Sequence, residues 1–189
     1  MTEAACRIGN RLLDGVNAAG VAMGYLSGLN FLLISAFITL DVLGRRFAGI
    51  SSAVTDEMGG YALVFGSTAA LAFAMATGAH VRIDVLLPKF PRRLRAVLNY
   101  VAYAAMAAFA ALLAYYCWKL AFESWETDAR AMSFLRTPTC WPQGIMAFGF
   151  TMLAVQAALT LAVALLESLR SGRLEEFRVV RMAGLSEGL

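Results

Sequence analysis

The segment His80-Val81-Arg82-Ile83-Asp84 sets an imidazole, a guanidinium and a carboxylate two residues apart, and His80 is the only histidine in the chain. With Asp41, Glu57, Cys6, Cys117 and Cys140, these are the side chains that could move a proton, hold a metal or attack a substrate. The arrangements such chemistry needs are missing. One histidine cannot clamp a haem from both faces, and no Ser/His/Asp or Cys/His set supplies an activated nucleophile. The cysteines form neither a C-x-x-C nor a zinc-type spacing. Cys117 and Cys140 fall near helix ends on one side, which allows either a disulfide or two small apolar fillers. Asp41 has Arg45 four residues later, the spacing of an ion pair on a helix. The chain alone reads as catalytically empty: not an enzyme, with no metal and no cofactor.

The elements that would position these groups are plain from the charges. Val16–Leu40, Met58–Ala79, Ala96–Trp118 and Thr137–Leu166 contain no Asp, Glu, Lys or Arg. Each is long enough to cross a hydrocarbon core, which takes about 20 helical residues. In lipid a backbone must satisfy its own hydrogen bonds, so each stretch should be a helix. The fold class is therefore all-α, an integral membrane protein with four transmembrane helices over about 16–43, 56–79, 92–119 and 141–167. Residues 1–170 make one membrane domain and 171–189 a polar cytoplasmic tail. The run from Val16 is far longer than the roughly 7–15 residues of a signal-peptide core, so it reads as an uncleaved span. No basic helix interleaved with aromatics argues for nucleic acid.

Basic residues set the orientation. Arg7 and Arg11, the five of the second loop (Arg82, Lys89, Arg92, Arg93, Arg95) and the four of the tail (Arg170, Arg173, Arg178, Arg181) lie on one side. Arg45, Arg46, Lys119, Arg130 and Arg136 lie on the other. Eleven against five puts both termini in the cytoplasm. The outer side then holds Asp56, Glu57, Glu123, Glu126, Asp128 and all three tryptophans, Trp118, Trp125 and Trp141. They form either an interfacial aromatic belt or a docking surface around Glu123, Trp125, Glu126 and Asp128. Thr55 or Ser52 can cap the second helix, with Asp56 and Glu57 in its positive first turn. Pro91 suits the first residue of the third helix, which overruns the bilayer if it reaches Ser124. Pro142 and Gly144 suggest a break at the start of the fourth, and Gly172 its end.

Within the spans, small residues recur every four positions: Gly20, Gly24 and Gly28; Ala62, Gly66, Ala70, Ala74 and Gly78; Ala154, Ala158 and Ala162. Such stripes let backbones approach closely. They serve either packing within the bundle or, with Asn17 and Asn30, an interface for another membrane protein. Isolated Asn17, Asn30, Ser35, Thr68 and Gln156 do not make the polar rings of a pore.

From Asp41 the runs DVLGRRF, TDEMGGYALVFGSTAALAFA and GAHVRIDVLLP resemble the DctQ-like small membrane subunit of tripartite ATP-independent periplasmic (TRAP) transporters. Arg46-Phe47 matches the family's Arg-aromatic pair, Glu57 its Glu opening span 2, and Gly66 its Gly inside that span. His80, Arg82 and Asp84 match its most specific mark. A basic residue frequent in the family before the His is replaced here by Ala76 or Thr77.

The resemblance implies a scaffold beside a large DctM-like membrane subunit that carries substrate by an elevator-like movement. A DctP-like periplasmic substrate-binding protein would deliver an organic acid, and a sodium gradient would drive import across the cell inner membrane. Arg46, Glu57, His80, Arg82 and Asp84 then become candidates for contact with the partner or with membrane lipid headgroups. Otherwise the last three terminate span 2 and Glu57 balances its dipole. The rival is a self-contained small channel or the anchor subunit of an enzyme.

Overall fold

The computed structural model describes residues 2–50, 52–78, 90–133 and 135–171. Four helices, α1 (Thr2–Ala48), α2 (Thr55–Ala76), α3 (Arg92–Glu126) and α4 (Cys140–Ser171), account for nearly all of them, and each is long and apolar enough to cross a membrane. At 1.5 Å per residue the 22 residues of α2 rise about 33 Å, close to the hydrocarbon thickness. The 47 residues of α1 rise about 70 Å and the 35 of α3 about 52 Å, so both must tilt or project.

Several helix ends differ from those expected. α1 begins at Thr2, not near residue 16, because nothing between Arg7 and Val16 breaks a helix; polar residues end a span, not a helix. Gly49, at φ +68°, stops α1 at its other end, as a glycine just past a helix commonly does. Neither Ser52 nor Thr55 caps α2. The capping position belongs to Val54, without a side-chain hydrogen bond. The Ser52 hydroxyl instead accepts from the Val54 N–H at 3.3 Å. Pro91 is the residue before α3, not its first. Pro142 and Gly144 produce no break, since Pro142 lies in the first turn of α4, where its missing N–H costs nothing. Gly172 lies outside the described residues.

α1 and α2 form one antiparallel pair and α3 and α4 another; α4 also packs on α2 and α1, while α3 rests mainly on α4. Between α1 and α2 the helices meet at missing side chains. A Cβ on Gly20 would stand 3.0 Å from the Ala72 carbonyl oxygen, and one on Gly24 would stand 2.3 Å from the Phe73 ring. Gly66 is closed in the same way by the Phe31 ring at 2.5 Å, and Gly149 of α4 by Thr68. Two polar side chains of α1 reach the opposite backbone. Ser27 Oγ donates to the Gly66 carbonyl at 2.7 Å, and Asn30 Nδ2 to the Ala62 carbonyl at 2.8 Å. Gly28 has open space around it, and Ala70 and Ala74 are half-buried.

Deeper in the bundle, Gln156 of α4 is 1% exposed and Asn17 of α1 is 5% exposed, with their amides 2.8 Å apart. The Gln156 amide also lies 3.1 Å from the Ala72 carbonyl oxygen and the Ala76 nitrogen, so one side chain meets three helices. Asn17 and Asn30, read from the sequence as a surplus available to a partner, are thus engaged within the chain. Between α3 and α4, where buried Ala110 and Ala157 share a cluster, long side chains also bridge the helices: Tyr100 OH donates to the Ala164 carbonyl at 2.9 Å and Trp118 Nε1 to Thr151 Oγ1 at 3.0 Å. Cys117 and Cys140 are unpaired, which fits the apolar-filler reading.

Candidate functional site

The α1–α2 and α3–α4 connections emerge at the same end of the bundle, and a carboxylate organises each. Asp41, two turns before the end of α1, is buried. Its Oδ2 accepts from Arg45 at 2.8 Å while its Oδ1 accepts from the Ser52 backbone N–H at 2.6 Å. The expected ion pair is present, but Arg45 itself is 60% exposed. With its cation open to solvent the pair adds little, so the structural work of Asp41 is to tie the chain entering α2 back onto α1.

Glu57, in the first turn of α2, makes the longer reach. Its Oε1 accepts from Tyr61 OH one turn along the same helix, and its Oε2 accepts from Ser133 Oγ, 76 positions away in the α3–α4 connection, both at 2.5 Å. Thr137 of that connection also faces the carboxylate. Both oxygens of Glu57 are therefore engaged inside the chain. The connection is a short hairpin: Arg130 and Pro138 form an isolated antiparallel bridge, the Ala131 N–H donates to Thr137 O and the Thr139 N–H to Ala129 O, each at 3.0 Å. Asp128 and Arg136 bracket it with left-handed backbone, both at φ +47°, which a residue with a Cβ adopts at a cost of about 1 kcal/mol.

Around the hairpin the surface is aromatic. Trp118, Phe122 and Trp125 of α3 and Trp141 of α4 line an apolar groove of about 330 Å³. Trp125 is 71% exposed and stands between exposed Glu123 and Glu126. Asp128 is exposed too, but Arg130 meets its charge at 3.2 Å. A second groove, about 610 Å³, opens between α1 and α2 beside Asn30, Phe37, Met58 and Tyr61.

The structure thus gathers Glu57, Glu123, Trp125, Glu126 and Asp128 at one end and places Arg46, exposed in the last turn of α1, at the same end. His80, Arg82 and Asp84 lie outside the described residues. Sequence reasoning missed Tyr61, Ser133 and Thr137, and named Ser52 only as a helix cap, not as the partner of Asp41. Tyr61 was findable, four residues from Glu57 on one helix face. Ser133 carried no signal, because only the fold brings it to Glu57.

Four helices able to span a membrane, with the polar groups of the spans turned on one another, define a multi-pass membrane protein. Residues 34–167 match the family model of the DctQ component of tripartite ATP-independent periplasmic transporters, and the chain belongs to that family. The match runs from the middle of α1 to near the end of α4 and includes both carboxylates that organise the connections. Comparison with curated proteins and with solved structures gave no match.

Proposed function

We propose that the chain is the static scaffold subunit of a sodium-coupled TRAP transporter importing organic acids across the cell inner membrane. A large DctM-like membrane subunit carries the substrate and a periplasmic DctP-like substrate-binding protein delivers it. Family membership supports the setting. The scaffold role rests on one observation: four polar side chains of the spans, Asn17, Asn30, Thr68 and Gln156, bond within the chain. Asn17 and Gln156 meet each other, Asn30 bonds the α2 backbone, and Thr68 Oγ1 donates to Val64 O at 2.8 Å. A helix that carried an ion or substrate would hold such groups toward a cavity.

The basic-residue asymmetry supports cytoplasmic termini, and hence a periplasmic hairpin end where Glu123, Trp125, Glu126 and Asp128 receive the soluble protein. Arg46 at that end, and His80, Arg82 and Asp84, which follow α2 in the sequence, are candidates for contact with the large subunit or with lipid headgroups.

Reconstitution tests this reading. The purified chain in liposomes should move no organic acid under a sodium gradient, and adding the large subunit and the binding protein should produce uptake. Sodium-driven uptake by this chain alone would overturn the scaffold reading in favour of a self-contained transport protein.

A further inference from the structure

Among the described residues of the α3–α4 hairpin tip, Met132 is fully exposed, and Leu135 and Arg136 are exposed. The hairpin's own backbone bonds close its base, across 129–131 and 137–139, and within the tip a single backbone bond, Arg136 N–H to Ser133 O at 3.3 Å, turns the chain without tying it to the bundle. The group that reaches it is the Glu57 carboxylate, and Tyr61 OH on the other oxygen restricts how that carboxylate can turn. α2 is a sound anchor, because its buried face packs on both α1 and α4.

We infer that Glu57 is a positioning residue that clasps the hairpin through Ser133 and holds it as a preformed platform beside Trp125 for the soluble partner. The inference rests on the docking reading above and deepens it. A platform already ordered loses less conformational freedom when a partner lands, so the clasp acts on how tightly the partner is captured. It leaves the transport step itself untouched.

The consequence is a defect in half-saturation without a defect in maximal rate. In the reconstituted three-component transporter, Glu57→Ala and Ser133→Ala should each raise the half-saturating concentration of binding protein by roughly five-fold, the worth of about one hydrogen bond. Maximal uptake should be preserved. The double variant should be no worse than Glu57→Ala alone, because removing Glu57 already removes the partner of Ser133 Oγ. Glu57→Gln, which keeps an acceptor oxygen, should recover part of the loss.

A nitroxide on Met132→Cys, in a background without the native cysteines, reads the tip directly and should become more mobile in Glu57→Ala and Ser133→Ala. Unchanged mobility in both would overturn the clasp. Raised mobility with unchanged half-saturation would overturn the platform role, provided that Glu123→Lys with Glu126→Lys does raise half-saturation. If that charge reversal also has no effect, the docking reading fails and the platform falls with it.

Discussion

Along the seam between α1 and α2 the helices meet at glycines, and along the seam between α3 and α4 buried alanines such as Ala110 and Ala157 line the contact while long side chains bridge it. In the first, Gly20, Gly24 and Gly66 admit the opposite helix, and Ser27 and Asn30 bond directly to its backbone. In the second, Tyr100 and Trp118 extend across the gap to a carbonyl and a hydroxyl. Both are ways of binding helices in lipid, where burial of apolar surface gives no net drive. The first tolerates almost no added volume at its glycines, and the second should lose little when one bridging hydrogen bond is removed. The difference is between a seam set by backbone approach and one also tied by long side chains.

The hardest test of that difference is Gly24→Leu. Its Cβ would fall 2.7 Å from the Phe73 Cβ, an atom that cannot swing away without moving the backbone of α2. Overpacking of this kind costs about 1–3 kcal/mol, so the purified chain should lose yield and thermal stability. A stable chain that merely releases the large subunit would show instead that α1 and α2 are farther apart in the membrane. A smaller effect is expected on the other seam. Trp118→Phe keeps the ring but removes the donor to Thr151, and interhelical hydrogen bonds in membranes average about 0.6 kcal/mol. Its melting temperature should fall only slightly, and a loss as large as that of Gly24→Leu would erase the contrast. The smallest effect belongs to Gly28→Leu, one turn along from Gly24 with nothing within 4 Å. The isolated chain should melt as the parent does, and loss of the large subunit from this variant would place a partner helix there.

The four helices were legible because lipid enforces one rule on every residue of a span, and charge-free stretches of at least 22 residues display it. Helix ends were less so. Thr2–Val16 is polar and still helical, since polarity marks where the bilayer ends and says nothing of where the helix does. Small-residue stripes told that some helix approaches closely but not which. Gly20 and Gly24 face α2 while Gly28 on the same stripe faces open space, because a four-residue spacing drifts about 40° round the helix at each step, and Ser27, Asn30 and Phe31 take over the contact with α2. The Glu57–Ser133 contact joins residues 76 apart and depends on where four helices place two connections, which no local pattern records. Asp41 and Arg45, four residues apart on one helix, could be paired by inspection.

The narrow attachment of α3 has a consequence for how the molecule is made. α1 and α2 can pair as soon as α2 leaves the ribosome, since their seam is complete without later residues. α3 follows into the bilayer with its principal neighbour not yet synthesised, and must remain there as a single helix on its own backbone hydrogen bonds. α4, the last helix to emerge, packs on all three others, and with it come Gln156 for Asn17 and Thr151 for Trp118. Most of the assembly is therefore decided at the end of synthesis, and a nascent chain halted before Cys140 would hold α3 to the first hairpin chiefly by the reach of Ser133 to Glu57.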